Sequence, residues 1–171
     1  MRSSESTTVA AMGRALRLAR SAAARGEIPV GAVVVRDGKI LGAAGNRSIA
    51  THDPTGHAEI RAIRRAAQRA GNYRLTGAIL VVTLEPCLMC LGAMVHARIG
   101  GLVYGAPDPK IGAVSSFALS PWGRTSGLNH RFPVHGGVRG EESADLLRAF
   151  FRARRATAVS APKRRPAATP A

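Results

Sequence analysis

Apolar positions recur near every 3.6 residues from Val9 to about Arg25. Ala11, Met12, Ala15, Leu16, Leu18, Ala19 and Ala22 share one face, so the stretch predicts a helix stopped by Gly26. The pattern then changes to a β-rich run, Val30–Val35. Asp37-Gly38 joins that run to Lys39–Ala44, as a hairpin requires. Asn46 to Gly56 reads as a loop around Asp53-Pro54, and His57 to Ala70 as a helix ended by Gly71. Ala78–Thr83 is apolar without alternation, which predicts a strand covered on both faces. Pro86 opens a helix to about Arg98, and Gly101–Gly105 is a short strand. From Ala106 to about Gly140, Gly, Pro and Ser are frequent and only Phe132–His135 has a strand pattern. Glu141–Arg155 then predicts a helix, with acids at its start and arginines at its end, as the helix dipole favours. Residues 1–8 read as a flexible polar N-terminus, 9–155 as one domain, and 156–171 as a disordered basic tail around Lys163-Arg164-Arg165. Strands alternating with helices predict an α/β layered domain.

Composition adds a partner class. The 171 residues are 46% hydrophobic and 20% charged, the balance of a single globular domain. No window approaches eighteen consecutive apolar residues, and the N-terminus lacks the pattern of a secretory signal. The expectation is a cytoplasmic protein that does not enter a membrane. With 25 Lys+Arg against 10 Asp+Glu, the formal charge is +15. Such a surface attracts polyanions, nucleic acid first among them; its plainer reading is a solvated basic surface.

The chemistry-bearing residues are few. Cys87 and Cys90 are the two cysteines, and their spacing in a cytosolic chain suggests a metal or redox pair rather than a structural disulfide. Both would sit at the start of the helix opened by Pro86, where the helix dipole favours thiolate. His57 would begin a different helix. His57, Cys87 and Cys90 are three nitrogen and sulfur ligands of the kind catalytic zinc uses, with the fourth position left for water. Glu59, two residues on, could reach that water without ligating the metal and carry its proton. Alone, Cys87-Leu88-Met89-Cys90 could also be a thioredoxin-like pair or half of a zinc knuckle.

His57-Ala58-Glu59 with Pro86-Cys87-Leu88-Met89-Cys90 resembles the H-x-E…P-C-x-x-C signature of the zinc nucleobase deaminases. Glu27–Val35, Asn46-Arg47, His52–Thr55, Asn72–Leu75, Thr83–Pro86 and Gly92–Ile99 extend the resemblance. So do Asp108, Lys110, Gly112, Asn129–Arg131 and Phe150–Arg152. Over about residues 9–155 the chain is similar to the bacterial tRNA-specific adenosine deaminases (TadA family) of the zinc-dependent cytidine/deoxycytidylate deaminase superfamily. The resemblance implies a three-layer α/β/α cytidine-deaminase-like fold with a five-stranded mixed sheet, a homodimer, and one zinc ion per subunit. It implies hydrolytic deamination of adenosine to inosine at the wobble position of a tRNA anticodon, most readily an arginine tRNA. The metal ligands would be His57, Cys87 and Cys90, and Glu59 the proton carrier. Asn46 would orient the base, although without the resemblance it reads first as a turn residue. Ile49, Leu84, Asp108, Phe151 and Arg152 would contact the anticodon stem-loop. Ala113–Thr125 departs from the family pattern, and Gly56 stands where alanine is more usual, a change expected to be neutral. Two alternatives share the metal: a deaminase of free guanine or cytosine, and a non-enzymatic zinc-stabilised RNA-binding module.

Overall fold

The structure, a computed structural model, describes residues 2–114 and 129–160, with side chains described for 7–114 and 129–157. The apolar run after Pro29 becomes strand β1 (Gly31–Arg36), buried at five of its six positions. Asp37 and Gly38 both adopt positive φ, the two-residue turn whose twist matches a hairpin. The chain returns as β2 (Lys39–Gly45), antiparallel to β1. β1 pairs on its other side, again antiparallel, with β3 (Ile79–Leu84). β3 runs parallel to β4 (Gly101–Ala106), and β4 parallel to β5 (Val134–His135). The sheet is mixed and five-stranded, in the order β2-β1-β3-β4-β5.

Side-chain alternation along the strands divides the core in two. Val33, Val35, Val81 and Val103 face α1 (Arg2–Ala24), packing on Ala11, Met12, Ala15 and Leu16. Ala32, Val34, Leu80, Val82 and Leu102 face the other way. There they meet Ala62, Ile63 and Ala66 of α3 (Ala58–Ala70) and Cys90 and Met94 of α4 (Leu88–His96). A last helix, here α5 (Gly140–Ser160), contacts β4, β3 and α1. Arg20 of α1 pairs with Glu142 of α5. This is the expected three-layer α/β/α arrangement. Strand and helix backbones approach closely: a Cβ on Gly31 would lie 2.0 Å from the Ala15 carbonyl oxygen, and one on Gly42 2.3 Å from that of Ala62.

The elements differ from the sequence pattern mainly at their ends. α1 begins at Arg2 rather than Val9, because no Gly or Pro interrupts the polar residues ahead of its apolar stripe. α5 continues past Arg155 to Ser160 for the same reason. The Phe132–His135 strand shortens to two residues, Val134 and His135, opposite Leu102 and Val103. The 46–56 loop contains a one-turn helix, α2 (Ser48–Thr51). Of the divergent 113–125 segment, Ala113 and Val114 are buried. Its remainder and the Lys163–Arg165 tail lie outside the described residues.

The topology chooses the site. β3 has an antiparallel neighbour on one side and a parallel one on the other. Crevices beyond the carboxyl ends of parallel strands are where open α/β sheets bind ligands. β3 leads through Glu85 and Pro86 into α4, and β4 into the 107–112 loop.

Candidate active site

Two helix starts meet beside that crevice. His57 is the N-cap residue of α3 and Cys87 that of α4, both with extended backbone. Neither start has a side-chain cap, so the positive end of each helix faces the crevice. Cys90 lies one turn into α4 and points the same way. His57 Nδ1 is 3.7 Å from Cys87 Sγ and 3.5 Å from Cys90 Sγ, and the two sulfurs are 3.7 Å apart.

Those three lengths test a metal. A tetrahedral zinc ion with Zn–S of about 2.3 Å and Zn–N of about 2.0 Å separates its sulfurs by about 3.8 Å and sulfur from nitrogen by about 3.5 Å. The triangle fits, and its donors are of the right chemistry. A disulfide needs sulfurs about 2.05 Å apart, which this pair is not. Without an ion, the hydrogen bond with Cys90, with help from His57, holds the Cys87 thiol down at about 4. Cys90 is pushed up by the same bond and by burial. His57 is raised, chiefly by its bond to Cys87.

Glu59 lies in the first turn of α3 and is 4% exposed. Burial dominates its surroundings and lifts its carboxyl above the ordinary range. His57 and Cys87 of the triangle, together with Glu59, line a cleft of about 770 Å³, with Cys90 buried behind them.

The cleft also collects most of the residues that sequence singled out. Asn46, Leu84, Asp108, Phe151 and Arg152 all line it. Ile49 is not among the lining residues; it lies half-exposed on α2, with its amide bound to Glu27. Phe151 faces the cleft, whereas its neighbour Phe150 carries the Arg154 guanidinium 5.6 Å from its ring centre. Lys110, Arg148 and Arg155 add positive charge to the rim, and Ile28 and Ile111 add exposed apolar surface. Arg148 is already engaged by Asp145 and Glu141.

Two buried carboxylates that the sequence reading did not single out build the walls. Glu27 accepts the Ile49 amide at 3.2 Å and the Ala50 amide at 2.8 Å, capping α2 and fixing the loop after Asn46. That loop is tight: a Cβ on Gly56 would lie 3.0 Å from both Ser48 Cα and the Asp53 carbonyl oxygen, so alanine there is not freely accommodated. Glu85, 3% exposed, accepts the Asp108 amide at 3.0 Å. Asp108 Oδ1 in turn accepts the amides of Lys110 and Ile111. The Gly112 amide returns to the Asp108 carbonyl and that of Ala113 to Pro86. The opposite wall is thereby stapled to the two residues before Cys87. The available signal was a lone acid at the border of an apolar run, beside Ile28 and between Leu84 and Pro86.

Glu85→Ala leaves the Asp108 amide without its acceptor, a loss of about 1–3 kcal/mol. The expected result is a lower melting temperature, and a KM that rises more than kcat falls, with zinc content unchanged. Glu85→Gln keeps an acceptor oxygen and should restore most of both. Thermal denaturation, steady-state kinetics and a metal assay check this.

The sequence model for the zinc-binding region of cytidine and deoxycytidylate deaminases matches residues 5–106. The chain is 48% identical over 147 residues to a tRNA-specific adenosine deaminase of Agrobacterium fabrum, covering 84% of this chain and 93% of that one. It is 49% identical over 166 residues, 95% of this chain, to a tRNA(Ile)-lysidine synthase of Deinococcus radiodurans, of which it spans 28%. A tRNA:A34 deaminase, solved in a study of A-to-I editing at the wobble position of transfer RNA, is similar at a TM-score of 0.76. Its identity is 47%, over 80% of this chain and 98% of that one.

Proposed function

Because the chain belongs to the zinc-dependent cytidine and deoxycytidylate deaminase family, we propose that it converts adenosine to inosine at the wobble position, 34, of a tRNA anticodon. Its substrate is an arginine tRNA, its place the cytoplasm, and its working form a homodimer with one zinc ion per subunit. The observation that carries the reading is that His57 and Cys87 of the His57–Cys87–Cys90 triangle and the buried Glu59 line one cleft rimmed by Lys110, Arg152, Arg155 and Phe151. Exposed Leu88 and Met89, adjacent on α4, support a second subunit.

His57, Cys87 and Cys90 would hold a zinc ion, which when bound would supply a water of pKa about 7 as the nucleophile for carbon 6 of adenine. Glu59 does the proton work. It takes the proton released as water attacks and gives it to N1 of the ring. It then takes the remaining proton from the hydroxyl added at carbon 6 and passes it to the exocyclic nitrogen; the C–N bond breaks, ammonia leaves, and the oxygen remains as the carbonyl of inosine. A carboxyl whose acid form is favoured by burial suits both transfers. Asn46 orients the purine through its amide. Leu84 and Asp108 form the wall beside the base. Phe151 stacks on a neighbouring base, and Arg152 and Arg155 hold phosphates. An adenine in the single-stranded anticodon loop enters the cleft at lower cost than one in a duplex.

Inosine mapping in bulk tRNA incubated with the purified zinc-loaded protein tests this. Inosine should appear at the first anticodon position of an arginine tRNA. Turnover of free guanine or cytidine with no inosine in any tRNA would replace this reading with that of a small-molecule deaminase.

A further inference from the structure

Among the described residues β2 is an edge strand, and its outer side carries charge. α3 runs along it. Arg61 donates to the Gly45 carbonyl oxygen, and Arg65, one turn on, to that of Ala43 at 2.6 Å. The rise of an α-helix places these two about 6 Å apart along the edge. Arg25, from the end of α1, and Arg47, from the loop after β2, lie close enough to act on Arg61. Burial lowers Arg61 from its ordinary value, and the charges of Arg65, Arg47 and Arg25 lower it further. Glu27 opposes this, but it is fully buried behind the cluster and both its oxygens hold α2 amides. Among the described residues, the ion pairs involve Arg20, Arg139 and Arg148, and none of these four.

Four guanidinium groups from three segments thus converge, and none of them is held in an ion pair among the described residues. Two are pinned by backbone carbonyls, so little side-chain freedom is lost on meeting an anion. Like charges gathered this way oppose folding unless a counter-anion is bound. The cluster also adjoins the cleft. Asn46, which lines it, sits between Gly45 and Arg47, and Arg61 is one turn beyond His57.

We propose that Arg25, Arg47, Arg61 and Arg65, along the open edge of β2, form a second RNA-backbone surface that binds phosphates of the tRNA lying outside the cleft. The proposal rests on the tRNA reading above and extends it from the anticodon loop to the flanking backbone. Planar guanidinium forks suit phosphate oxygens. A second copy of this chain is disfavoured as the occupant, since the same four charges would face each other across a symmetric contact.

The test measures binding of an anticodon stem-loop RNA, and of whole tRNA, by the zinc-loaded protein across a salt series. Each phosphate contact contributes roughly 0.7–0.9 to the slope of log affinity against log salt. R25Q/R61Q/R65Q should therefore lower the slope for whole tRNA by about 2 and weaken binding about tenfold at low salt. Its kcat at saturating RNA should be unchanged. R25K/R61K/R65K keeps the charges and should keep the slope. Should the triple glutamine variant fold poorly, R25E is the check, because the Arg25 side chain donates, among the described residues, to the nearby Ser21 hydroxyl of α1 rather than to a strand; it should weaken tRNA binding as well. An unaltered slope in a folded glutamine variant overturns the proposal. So does a change of oligomeric mass on substitution, which would make this edge a contact between copies. Failure of the tRNA reading is seen separately, as absence of inosine with the wild-type protein, whose salt slope is still measured.

Discussion

Glu59→Gln is expected to reduce inosine formation by at least 10³–10⁴-fold while leaving bound zinc unchanged. Loss of a general acid–base group costs about 10²–10⁴ in rate. The upper end applies because one carboxyl serves both proton transfers and, among the described residues lining the cleft, the other two acids are engaged elsewhere. Glu85 is bound to the Asp108 amide, and Asp108 Oδ1 to its own turn. Metal content separates this from a structural effect, since Glu59 lies outside the His57–Cys87–Cys90 triangle. A variant that keeps zinc and keeps turning over would remove Glu59 from the chemistry.

The same substitution has a stability signature in metal-free protein. Burial raises the Glu59 carboxyl above its ordinary 4.5, so folding favours the protonated form. Its contribution to stability is fully present below about 4.5 and is lost as pH rises through the higher folded value. Glutamine is neutral throughout. Metal-free Glu59→Gln should therefore melt above metal-free wild type at pH 7, and the difference should shrink as pH falls to the ordinary carboxylate range. Melting curves at a series of pH values read this directly.

The site's chemistry was legible because it lies in two short segments with fixed spacing. His57 and Glu59 share one helix start, Cys87 and Cys90 another, and each helix was marked by its own apolar period. Sheet order was not legible in the residues themselves. Nothing in Ala78–Thr83 states that it lies between β1 and β4; only the resemblance supplied a five-stranded mixed sheet. Glu27 and Glu85 were missed because their partners are backbone amides 22 to 23 residues away, which no side-chain pattern marks. α2 was missed for a related reason. A four-residue helix has too few positions to show a period, and it persists because Glu27 caps it. Arg61 and Arg65 were visible as charges at helical spacing, but their link to the β2 carbonyls depends on an edge that only the fold reveals.

Cys87→Ser and Cys90→Ser should each empty the metal site and abolish turnover, and they should differ in what else they cost. Serine is a poor zinc ligand, and two remaining donors cannot hold the tetrahedral geometry the triangle is sized for. Wild type should gain thermal stability with added zinc, by about 2.7 kcal/mol when free zinc is a hundred times its dissociation constant. Neither variant should respond. Without metal, however, the two part company. Cys90 is fully buried in the core between the sheet, α3 and α4, whereas Cys87 is only partly so. A hydroxyl at position 90 replaces an apolar thiol among Leu80, Met94 and their neighbours, so Cys90→Ser should melt below Cys87→Ser. Zinc measured per chain and melting with and without zinc decide both points. Full zinc occupancy in either variant would remove that cysteine from the ligand set. A metal-free wild type that forms a Cys87–Cys90 disulfide and never takes up zinc would return the pair to the redox reading.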